Sequence, residues 1–66
     1  MTEYEYRQRR MLLQERFLAI PNPKVLRHTA NRVIRMMAAL DAEYSGQPEE
    51  DCHKQLIHEL KENGKL

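Results

Sequence analysis

At 66 residues and 7.9 kDa the chain has room for one small domain, residues 1–66, and folding removes only about 60% of its unfolded surface from water, which favours a partner subunit. Its composition, 41% hydrophobic and 32% charged with a net charge of +1, excludes a multidomain enzyme, and no apolar run is long enough to span a bilayer, so no membrane association is expected. The single cysteine, Cys52, excludes an internal disulfide, and the opening MTEYEYRQRR lacks the apolar core of a secretion signal; a cytoplasmic location is the expectation.

The punctuation of the chain predicts three helices. Thr2 followed by Glu5 has the form of a capping box, in which a hydroxyl and a carboxylate satisfy free backbone N–H groups at a helix start. Neither Gly nor Pro interrupts the chain from Glu3 to Ala19, giving a first helix over about 3–19. It must stop near Ile20, because Pro21 disfavours helical geometry in the residue before it. Asn22 and Pro23 read as the N-cap and first residue of a second helix, about 23–44, with Ser45-Gly46 as its stop. Pro48 opens a third helix, about 48–62, whose Glu49, Glu50 and Asp51 suit the positive end of the helix dipole. Asn63-Gly64 ends it. No window shows strand alternation bounded by turns, so the expected fold is all-α, a small three-helix bundle.

Helical spacing then assigns faces. Leu26, Ala30, Val33, Met37, Leu40 and Tyr44 form a heptad-like seam on the second helix, and Val25, Thr29, Ile34 and Met36 widen its apolar arc. An arc so wide requires more than one neighbour, which makes this the central helix. The first helix is two-sided. Tyr6, Leu13, Phe17 and Ile20, with Leu12 beside them, line a face for the second helix. Tyr4, Met11 and Leu18 line an almost opposite face that would be wet in a monomer. That second face is the expected site of self-association or partner contact, and dimerisation through helices one and two into a twofold homodimer is the expectation. The third helix, with Cys52, Leu56, Ile57 and Leu60 on one side, reads as a lid over the other two.

Charge is distributed unevenly. Residues 1–37 carry eight basic side chains against Glu3, Glu5 and Glu15, a balance of +5, whereas residues 38–66 carry three lysines against seven acids, a balance of −4. Either the halves neutralise each other, or the basic half faces an acidic partner. Lys24, Arg27, His28, Asn31, Arg32 and Arg35 fall on the face of the second helix opposite its apolar seam, with Ala38, Ala39 and Ala42 continuing that face. Such a stripe is either the solvent face of an amphipathic helix or a partner-binding face.

Catalytic and metal chemistry find no footing. His53 and His58 lie five residues apart and point in different directions on a helix, and Cys52 falls in step with Leu56 and Leu60 as a small buried hydrophobe. Glu62 follows His58 by four residues, a surface helix pair. There is no Gly-rich loop, and a small core leaves no room for a substrate pocket. The expectation is a non-enzymatic interaction or modulator protein with no catalytic, cofactor or metal residues and no small-molecule substrate. Apolar anchors would supply affinity to a protein partner and arginines orientation. The alternative is a DNA- or RNA-binding regulator using the basic face of the second helix, with the break from Ala19 to Pro23 as the turn of a helix-turn-helix.

Overall fold

A computed structural model describes residues 1–66 as three α-helices and no strand, in the order α1 (Glu3–Leu18), α2 (Arg27–Ser45) and α3 (Glu49–Glu62). The helix ends follow from local chemistry. Thr2 sits in extended geometry and its hydroxyl accepts the Glu5 N–H at 3.1 Å, the hydroxyl half of the capping box; the Glu5 carboxylate does not return a bond to the Thr2 N–H. Ala19, whose N–H donates to the Glu15 carbonyl at 3.0 Å, closes α1 ahead of Pro21. Gly46 ends α2 at φ 77, in the left-handed region that a Cβ makes costly, and its N–H donates to the Ala42 carbonyl at 2.9 Å. Ser45 stitches the next corner: its hydroxyl donates to the Asp41 carbonyl at 2.7 Å and accepts the Gln47 N–H at 3.2 Å. Pro48 caps α3, and past its end the Lys65 N–H reaches back to the Leu60 carbonyl at 2.8 Å across Gly64.

The start of α2 differs from the sequence expectation. Pro23 does begin a helical turn, in which the Asn22 carbonyl accepts the N–H groups of Val25 (3.1 Å) and Leu26 (2.8 Å). That turn stops at Leu26, whose ψ of 56 leaves helical geometry, and α2 starts anew at Arg27. Neither Gly nor Pro marks this break. It reorients the chain so that Ala30, Val33 and Ile34 enter the core, and it leaves Val25 and Leu26 exposed. The connection between α1 and α2 therefore runs from Ala19 to Leu26, longer than the three- or four-residue turn of a helix-turn-helix.

The core lies around α2. Ala30, Val33, Ile34, Met37, Ala38 and Leu40 of α2 are buried, together with Phe17 of α1 and Cys52 and Leu56 of α3. Ile34 is fully buried and occupies the centre; removing a side chain of this size from water is worth about 1.5–3 kcal/mol. α2 packs against both other helices, confirming its central place. α3 lies along α2, and it meets α1 through side chains only: Phe17 shares the buried cluster with Cys52 and Leu56, while the α1 and α3 backbones do not pack. Of the sequence seam, Leu26 and Tyr44 stay exposed, while Ile34 and Ala38 join the core and Ala42 is half-buried against it. Ala38 thus belongs to the packed side of α2, not to its polar stripe, because a small side chain there admits α3 close to the α2 backbone.

A polar cluster fixes α1 on α2. The Tyr6 hydroxyl donates to Asp41 Oδ1 at 2.6 Å, and Arg10 Nε donates to the same oxygen at 3.0 Å. The Tyr6 and Tyr44 rings stack beside it, centroids 4.2 Å apart and 8° from parallel. These contacts join the beginning of α1 to the end of α2, so the two helices form an antiparallel hairpin.

Candidate interaction surfaces

Lys24, Arg27, His28, Asn31, Arg32 and Arg35 are all exposed, and no side chain among them makes a hydrogen bond or ion pair with the rest of the chain. The two oppositely charged halves of the sequence do not neutralise each other by pairing. Arg10–Asp41 is the one ion pair between them; Arg7–Glu3 and His58–Glu62, each 2.9 Å long, are exposed pairs within single helices. The second of these carries opposite charges only when the imidazole is protonated. The basic stripe keeps its charge free.

The stripe divides in two according to what lies across from it. Near the start of α2, Lys24, Arg27 and Asn31 line a groove of about 600 Å³ with Ile57, Lys61 and Leu66 from the other end of the chain. Three cationic side chains line it and no carboxylate side chain does. Sequence spacing does not single out Lys61; only the antiparallel course of α3 along α2 brings it to the same groove as Lys24. α2 also begins without a side-chain cap and without an acidic residue in its first turn, so its free N–H groups add positive potential at this end. Further along, Arg35 shares a depression with Glu49, Glu50, His53 and Lys54 of α3, where acidic groups temper it.

Tyr4, Met11 and Leu18 are exposed, but they do not share one free face: Leu18 edges a depression that it lines with Met37 of α2 and Leu56 and Leu60 of α3. At seven-residue steps they stand roughly 10 Å apart along the helix, three separate apolar points. A continuous apolar surface lies elsewhere, between α1 and α2 on the side opposite α3. Leu12, Leu13, Ala19, Met36, Ala39 and Leu40 line a groove of about 820 Å³, edged by Arg9, Glu15, Arg16 and Glu43. Leu12 and Met36 are 58% and 46% exposed across it. The sequence spacing placed Leu12 beside the α2-facing side of α1 and Met36 at the margin of the α2 arc, but not the two on facing walls of one groove.

Cys52 is buried, with its thiol 3.9 Å from Gln47 Oε1, in the place its spacing with Leu56 indicated. His53 and His58 do not converge, and no three His, Cys, Asp or Glu side chains gather within reach of one ion. Burial in the Asp41 cluster pushes the Tyr6 phenol above its ordinary value; the hydrogen bond to Asp41 and the charge of that carboxylate add to the rise, and Arg10 opposes it in part. None of the helices is long and apolar enough to cross a membrane. Compared with protein families, characterised proteins and solved structures, the chain matches none.

Proposed function

We propose that the chain is a small non-enzymatic helical interaction protein that docks onto another macromolecule, a protein presenting acidic groups, in the cytoplasm. The observation that carries this reading is the groove at the start of α2, which Lys24, Arg27 and Lys61 line with Asn31 and no carboxylate side chain. Cations held together by a fold and left unpaired favour an anionic surface, and they accelerate encounter as well as strengthening the complex. Arg32 and Arg35 extend the field along α2, and Tyr4, Met11 and Leu18 offer apolar contacts on α1. The chain self-associates through α1 and α2, as its small core and exposed apolar side chains favour.

The test compares proteins captured from cells by the wild-type chain and by a Lys24→Glu/Arg27→Glu chain of equal helicity. A partner lost only by the double variant supports the reading, and identical capture by both removes the stripe from it. A nucleic-acid partner is the second reading, favoured by the uncapped, acid-free first turn of α2, a geometry that receives phosphate. Fluorescence anisotropy with generic duplex DNA separates the two. Binding that weakens steeply with salt, through counterion release, selects nucleic acid. Absence of binding at low salt leaves the protein partner.

A further inference from the structure

We propose that a second copy of this chain occupies the groove between α1 and α2, forming a twofold dimer with Leu12 and Met36 at its centre. The inference rests on the self-association part of the reading above and names the surface that performs it. α3 covers α2 from the other side and contributes nothing to this groove, so one side of the α1–α2 hairpin lacks a third helix. Leu12 and Met36 face each other there with about half of each side chain in water.

Charge points to a copy of the same chain. The edge of the groove carries Arg9 and Arg16 against Glu15 and Glu43, balanced in sign, and none of the four is paired within its own chain. In a twofold interface the same surface meets itself, so a rim of one sign repels its copy and a mixed rim can pair with it. The basic face of α2 fails that criterion. An acidic partner fits that face, and a copy fits the groove.

Sedimentation equilibrium over a range of chain concentrations tests the inference, with helicity checked by circular dichroism. The wild-type chain should approach a mass of about 16 kDa, twice 7.9 kDa, as concentration rises. Leu12→Glu and Met36→Glu, both at exposed positions, should remain monomeric while keeping full helicity. A register-independent variant pair tests the rim. Arg9→Glu/Arg16→Glu makes it wholly acidic and Glu15→Lys/Glu43→Lys makes it wholly basic, so each should be monomeric alone and the mixture should dimerise. A wild-type chain that stays near 8 kDa at every concentration, about its own 7.9 kDa, overturns the inference. So does a dimer that survives Leu12→Glu and Met36→Glu but is broken at Tyr4, Met11 or Leu18. Capture lost by Lys24→Glu/Arg27→Glu is read separately, so failure of the dimer and failure of the docking reading are distinguishable.

Discussion

Asp41→Ala is the substitution that most directly tests how α1 is held on α2. A single carboxylate oxygen accepts the Tyr6 hydroxyl at 2.6 Å and Arg10 Nε at 3.0 Å. Hydrogen bonds to a charged group contribute about 1.5–3 kcal/mol each when shielded. The Arg10 and Asp41 side chains retain 21% and 19% of their exposure, so solvent screens the pair and leaves both donors able to reach water after truncation. The expected loss is therefore at the low end for two bonds together, about 2–3 kcal/mol. A chain of 66 residues has roughly 3–10 kcal/mol in total, so this is a substantial fraction. Urea unfolding followed by far-ultraviolet circular dichroism, at one fixed chain concentration, measures it. With a denaturant slope near 1 kcal/mol per molar, the midpoint should fall by about 2–3 M. Tyr6→Phe, which keeps the ring stacked on Tyr44, should cost about 1 kcal/mol, and Tyr6→Phe/Asp41→Ala should cost less than the sum by about the same amount. A midpoint unchanged in Asp41→Ala, or strict additivity in the cycle, refutes the view that this cluster docks the two helices.

The same cluster gives stability a dependence on alkaline pH. Because the folded state raises the Tyr6 phenol, the stability linked to it is fully present below the ordinary tyrosine value of 10.0 and is lost as pH climbs through the higher folded value. Urea midpoints of the wild type should fall more steeply above pH 10.0 than those of Tyr6→Phe, and parallel curves would show that the phenol is not held by burial and Asp41. Ala38→Leu should destabilise by about 1–3 kcal/mol, since a larger side chain must enter the closed cluster shared with Cys52 and Leu56. A thermal midpoint equal to wild type would place Ala38 on a free face.

Features that close within a turn or two of one helix are legible in the chain before any packing is known. Thr2 with Glu5, Pro21 after Ile20, Gly46 and Gly64 end helices through bonds among near neighbours, and such bonds do not depend on what packs nearby. The spacing of Ala30, Val33, Met37 and Leu40 likewise identifies α2 as the helix around which the core forms. Tertiary structure alone decided the rest. The restart of α2 at Arg27 has no local breaker; it satisfies the direction in which Ala30, Val33 and Ile34 must point. Ala38 lies near the edge of the apolar arc, where either burial or exposure is compatible with spacing, and the approach of α3 settled it. Asp41 meets Tyr6 and Arg10 from more than thirty residues away, and Lys61 lines a groove with Lys24 only because α3 runs back along α2. The groove with Leu12 and Met36 on its walls exists only between two helices, because periodicity gives the direction of each side chain from its own axis and packing fixes how the axes stand to one another.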